Sequence, residues 1–156
     1  MPGALIVAAV RVAGGWPAAL VLRLQAMYQE RTRSIQISVE PFYLDDQSAP
    51  EQSRFVFGYR IQIDNQGGEV VQLISRHWRI TDALGRTMEV RGAGVVGQQP
   101  VLQPGERFEY TSGTPLSTPS GIMVGSYEMV TTAGEHFEVQ IPAFSLDAPG
   151  ALTPPN

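Results

Sequence analysis

Cysteine is absent from the 156 residues, and so is lysine, because all eleven basic residues are arginine. The first absence excludes disulfide staples, thiolate metal sites and cysteine nucleophiles, and it fits a reducing compartment. The second removes Schiff-base chemistry, a P-loop lysine and any lysine general base. Histidine is scarce as well: His77 and His136 stand 59 positions apart, and neither belongs to an H-x-H, H-x-x-x-H or H-E-x-x-H arrangement. Each is expected on a sheet surface or edge rather than in a metal shell. No G-x-S-x-G elbow occurs, so no catalytic assignment is made and no cofactor is implied.

Long apolar runs are also missing. The opening "MPGALIVAAVRVAGGWPAALVLRLQAM" is broken by Arg11, Gly14, Gly15, Pro17 and Arg23, short of the roughly 18 uninterrupted apolar residues of a spanning helix. It has no basic n-region and no A-x-A site, so neither secretion nor membrane insertion is expected. A chain that lacks a spanning segment cannot itself carry a cation across a bilayer. Residues 1–33 hold a charge of +3 and residues 34–156 a charge of −7, which together make the formal −4. An acidic body repels a phosphate backbone, and nucleic acid is not an expected partner.

What the chain does have, after Ser34, is alternation. Ile35, Ile37 and Val39 share one face of a strand, and Phe55, Phe57, Tyr59, Ile61 and Ile63 share one face of another. The turn "NQGGE" precedes "VVQLISRHWRI", in which Ile74, Trp78 and Ile80 lie in one phase and Val71, Leu73, Ser75 and His77 in the other. "TMEVR", "RFEYTS", "MVGSYEMVT" and "HFEVQIPAF" bring the total to at least seven short strands with turns between them. With no helical period of useful length in this body, the fold class is all-β: an immunoglobulin-like or fibronectin type III-like antiparallel sandwich. Trp78 in phase with Ile74 and Ile80 is expected in its core. An exposed Trp78 flanked by Arg76 and Arg79 would instead anchor an interface.

The remainder divides in two. Leu20, Leu24, Met27 and Tyr28 recur at helical spacing, so residues 1–32 are expected to form an extension that is disordered or a short amphipathic helix. Residues 33–148 form the sandwich, and 149–156, "PGALTPPN", a disordered tail. "YLDDQSAPEQ" places Asp45 and Asp46 in a solvated turn.

Gly92, Gly94 and Gly97 spell G-x-G-x-x-G within "VRGAGVVGQQP". In a dinucleotide fold such glycines lead a strand into a helix whose N-terminus meets the pyrophosphate, and here Gln98, Gln99 and Pro100 follow with no helical face. Two readings of the loop stand: an anion nest of backbone N–H groups helped by Arg91, or a sandwich loop that needs positive φ and close packing.

The stretches "RHWRITDALG", "VRGAGVVGQQPVLQPGERFEYTSGTPLSTPSGIMVGSYEMV" and "FEVQIPAFSL" closely resemble the ApaG family of bacterial proteins, over about Arg33 to Leu146. The resemblance implies a fibronectin type III-like sandwich without established enzymatic activity. It also implies an association with cobalt and magnesium efflux or resistance, which for this chain has to be indirect. A similar domain joined to F-box regions in larger proteins behaves as an interaction module. The expectation is therefore a cytoplasmic, non-catalytic binding module with an unidentified protein partner, with Arg76, His77 and Arg79 as its interaction residues. The family's own G-x-G-x-x-G, matched by Gly92, Gly94 and Gly97 beside Arg91, implies the alternative of a bound nucleotide polyphosphate. The first 26 or so residues exceed the usual family length and raise Met27 as a second candidate start.

Overall fold

The computed structural model describes residues 8–10 and 27–150. The strands are Ala8–Val10 (β1), Tyr28–Thr32 (β2), Ile35–Tyr43 (β3), Phe55–Asn65 (β4) and Val71–Asp82 (β5). They continue with Thr87–Ala93 (β6), Val101–Leu102 (β7), Arg107–Leu116 (β8), Ser120–Thr131 (β9) and His136–Asp147 (β10). One antiparallel sheet runs β1-β8-β4-β3-β2 and the other β10-β9-β5-β6, with β7 also pairing β5. The two layers form the expected β-sandwich. Asp45–Gln47 and Pro50–Gln52 make single 3-10 turns, and Asp45 and Asp46 are exposed, as expected of that segment.

Alternation drives the two sheets together. Ile35, Ile37 and Val39 meet Tyr59, Ile61 and Ile63 on one inner face, and Met123, Tyr127, Met129, Val139 and Phe144 fill the other. Each such side chain removed from water contributes on the order of 2 kcal/mol. Trp78 is buried, and its ring stands edge-on to Phe144 at 5.9 Å and tilted to Tyr59 at 5.4 Å, so the core reading holds and the exposed-anchor reading does not. The chain crosses between sheets after β4, and buried Asn65 holds that corner. Its side-chain amide donates to the carbonyls of Glu69 and Leu102 at 2.8 and 3.0 Å, and its Oδ1 accepts from the Gly67 N–H at 3.1 Å.

Two expectations are corrected. Tyr28–Thr32, assigned to a helical or disordered extension, is a strand in register with Ile35–Val39, and Ala8–Val10 pairs with Glu109–Thr111. Only Tyr28 and Thr32 of "YQERT" are partly covered, so this edge strand carries no alternating signature, and backbone pairing with β3 together with those two side chains holds it. Leu20 and Leu24, on which the helix rested, lie outside the described residues. The second correction concerns β5. A bulge falls between Leu73 and Ser75, where Ile74 has no partner on β9. An extra residue reverses the phase of a strand. Val71 and Leu73 before the bulge and Trp78 and Ile80 after it therefore all face the core, although they alternate out of step in the sequence.

The flanks of the sandwich differ. On one, β10 packs across β2 and β3. The Tyr28 hydroxyl meets Ser145 Oγ at 3.0 Å, Thr32 Oγ1 accepts the Gln140 N–H at 3.2 Å, and Arg33 grips both carboxylate oxygens of Glu135 at 3.1 Å while lying 4.4 Å over the Phe137 ring. On the other flank no comparable packing joins β6 to β8 among the described residues, β1 pairs along the outer edge of β8, and a cleft lies between β6 and β8.

Candidate functional site

The glycine loop closes a hairpin rather than opening a helix. The Val95 N–H donates to the Gln98 carbonyl at 2.8 Å and the Gln98 N–H to the Val95 carbonyl at 2.9 Å. Between them Val96 and Gly97 have φ of 43° and 77°, the paired positive values of a two-residue hairpin turn. Gly94, at φ 64°, donates its N–H to Ile74, and a Cβ there would stand 2.2 Å from the Gln98 carbonyl oxygen. Gly92 makes room for a side chain instead, since a Cβ on it would meet the Arg76 guanidinium at 2.9 Å. The three glycines thus serve a seat, a close approach and a turn. Arg91 points away from the interior, is 70% exposed, and reaches Glu89 at 3.8 Å.

Strand alternation separates the three residues expected to act together, and the bulge sets which of the two groups faces the core. In its shifted phase Arg76 lies between Tyr127 and Gly92 on the inner side of the sheet, while His77 and Arg79 stay on the outer side. The Arg76 Nη1 donates to the carbonyls of Ala93 and Gly94 at 3.1 and 2.9 Å, which clamps the guanidinium against the hairpin. Among the described residues it has no ion-pair partner. The grouping of Arg76 with His77 and Arg79 follows their adjacency in "RHWR", although Arg76 shares the phase of Trp78 and the other two do not.

Arg76 overlooks this cleft of about 320 Å3, walled by Trp78, Met88, Val90 and Val96 from one sheet and hairpin and by Tyr59, Tyr110, Ser112 and Thr114 from the other. These wall residues, apart from Trp78, carried no functional signal in the sequence, where each reads as one more member of an alternating strand. Burial pushes the Tyr59 hydroxyl above the usual tyrosine range, against the opposing effects of its hydrogen bond with Ser112 and of the positive charge of Arg76. Behind it the Tyr110 and Tyr127 hydroxyls bond to each other, and burial raises both. All three phenols are neutral at physiological pH. Val96 adopts its positive φ, a region that β-branched residues avoid, in the turn that brings it to the cleft wall.

The outer face of the second sheet is mixed. His77 Nε2 lies 3.7 Å from Glu89, and His136 Nδ1 lies 3.2 Å from Glu128. Ser126 stands directly across from His77, yet its hydroxyl donates to Glu138 at 3.4 Å, so serine and imidazole do not form a nucleophile–base pair. Farther along, Arg79 stands opposite Val124, and Ile122, 54% exposed, opposite Thr81. Among the described residues no three His, Asp or Glu side chains converge as a metal set, and no helix is long and apolar enough to cross a membrane.

Comparison with known proteins agrees on one family. The ApaG domain family, DUF525, matches residues 45–131. The ApaG protein of Rhodospirillum centenum is 65% identical over 130 residues, 83% of this chain and 100% of its own, and that of Paramagnetospirillum magneticum is 62% identical over 123 residues, 79% and 95%. Among solved structures, a Bordetella pertussis protein described as ApaA has a TM-score of 0.72 at 54% identity, covering 74% of this chain and 94% of its own. The resemblance first carried by the tryptophan strand and the glycine hairpin thus extends through both sheets, and the chain belongs to the ApaG domain family.

Proposed function

We propose that this ApaG-domain protein is a non-catalytic, cytoplasmic binding module that bears on cobalt and magnesium homeostasis indirectly, by holding another protein on the outer face of the β10-β9-β5-β6 sheet. The observation that carries this reading is the exposed Ile122, with Val124, beside Arg79 on a solvent-facing sheet. Apolar and arginine side chains together are the usual anchors of protein interfaces. His77 lies on the same face, with its Nε2 covered 3.7 Å from Glu89. The non-catalytic part is supported by the two histidines, each beside a glutamate on a solvated face, and by the neutral phenols of the interior.

The alternative, a nucleotide polyphosphate held by Arg91 and the backbone of Gly92, Gly94 and Gly97, has the exposure of Arg91 in its favour. It has less of a cradle to use, because the amides of Gly94, Val95 and Gln98 already donate within the protein.

The test is affinity capture from cell extract on four immobilised proteins: wild type, Ile122→Arg, Arg79→Glu and the opposite-sheet control Gln62→Arg. A protein retained by wild type and control but lost from the first two variants supports the module. Equal retention on all four, or nothing retained above background, removes it.

A further inference from the structure

We propose that the cleft between β6 and β8 binds a small monocarboxylate with a flat apolar body, whose carboxylate pairs with Arg76. This goes beyond the docking face: the cleft opens between the sheets, and either assignment stands if the other fails.

The Arg76 charge is only partly engaged by the protein. A guanidinium carries five N–H donors, and the Ala93 and Gly94 carbonyls take those of Nη1. Among the described residues no acceptor takes the donors of Nε and Nη2, and no carboxylate neutralises the group. That remaining edge has the two parallel N–H bonds that match a carboxylate in a fork. The seat is specific, since the side chain fits only because position 92 is glycine, and the clamp from the hairpin carbonyls holds the fork in one orientation.

Ligand class follows from the walls. Trp78, Met88, Val90 and Val96 offer an apolar slot, and the Trp78 and Tyr59 rings lie 5.4 Å apart at its floor. A flat hydrocarbon or aromatic body satisfies those surfaces. Ser112 and the neutral Tyr59 hydroxyl supply hydrogen bonds but no charge. Glu89 and Arg91, which also line the cleft, lie 3.8 Å apart and offset each other, so Arg76 is the net charge of the lining and balances a monocarboxylate rather than a phosphate dianion. At about 320 Å3 the cleft lies at the small end of ligand pockets and suits a metabolite rather than a peptide.

The experiment uses the full chain, labelled with 15N, titrated with phenylacetate and separately with its neutral counterpart phenylacetamide and with inorganic phosphate. Phenylacetate is expected to give saturable shifts at the Trp78 indole and at the Val90 and Val96 amides. Phenylacetamide and the Arg76→Met variant are each expected to weaken that response about tenfold or more, the loss of one charge-assisted pair. Val90→Phe, which fills the slot and leaves Arg76 in place, is expected to abolish the response with the spectrum still dispersed. Should Arg76→Met fail to fold, the amide swap and Val90→Phe decide. The proposal is overturned by the absence of a saturable response, by a response that the amide swap leaves unchanged, by equal binding of inorganic phosphate at the same residues, or by shifts confined to the Ile122 face.

Discussion

Along one flank of the sandwich β10 packs over β2 and β3 and is tied to them through Tyr28, Thr32 and Arg33, whereas along the other β6 and β8 diverge around a cleft overlooked by Arg76. Both flanks are made of alternating strands, so alternation cannot be what separates them. The closed flank ends in side chains that reach across: a tyrosine hydroxyl, a threonine hydroxyl and a bidentate arginine. The open flank ends in a hairpin whose glycines draw backbone close to backbone and leave the space above to one guanidinium. In this sandwich the residues that finish each flank, rather than strand alternation, distinguish the tied side from the side with the cleft.

The largest expected contrast lies in truncation. Phe144→Ala removes a ring that touches Tyr28 of the closed flank and Tyr59 and Trp78 in the core, and a loss of about 4 kcal/mol is expected in urea denaturation. Val90→Ala, on the half-buried open wall, is expected to cost about 1 kcal/mol. Equal losses would show that both flanks are packed alike.

Next comes the hairpin. Gly94→Ala meets both a positive φ and the Gln98 carbonyl, so about 3 kcal/mol is expected, whereas Gly97→Ala meets the positive φ with open space around it and is expected to cost about 1 kcal/mol. The order of the two, read from thermal or urea midpoints, distinguishes a packing role from an interchangeable glycine loop.

The smallest effect belongs to the closed-flank clasp. The hydrogen bonds from Arg33 hold the Glu135 carboxyl below the usual carboxylate range. A depressed folded value means that the contribution is present above the ordinary carboxylate pKa and is lost as pH falls through the folded value. Glu135→Gln is thus expected to lower the urea midpoint slightly at neutral pH, with the difference from wild type closing in acid. A difference that grows in acid would contradict the assignment.

Much of this architecture was legible in the sequence. Ile35 to Val39 and Phe55 to Ile63 announce half-buried strands because period two is a geometric necessity of the pleat. The tryptophan strand and the glycine hairpin carry the family resemblance. The common inward face of Val71, Leu73, Trp78 and Ile80 was not legible, since a one-residue bulge at Ile74 has no composition of its own yet turns every later side chain to the opposite face. Nor was β2, whose "YQERT" is polar at three successive exposed positions and joins the sheet through its backbone. The glycine spacing was visible, but its purpose became readable only with its neighbours: the guanidinium over Gly92 and the carbonyl beside Gly94.

The most direct measurement of the open flank compares two enlargements, Val90→Phe in the cleft wall and Val139→Phe in the fully buried row of β10, by urea denaturation of each variant. An existing cleft accepts the added ring, so Val90→Phe is expected to leave the midpoint unchanged, while Val139→Phe is expected to cost about 2 kcal/mol through overpacking. A loss at position 90 as large as that at position 139 would contradict the account.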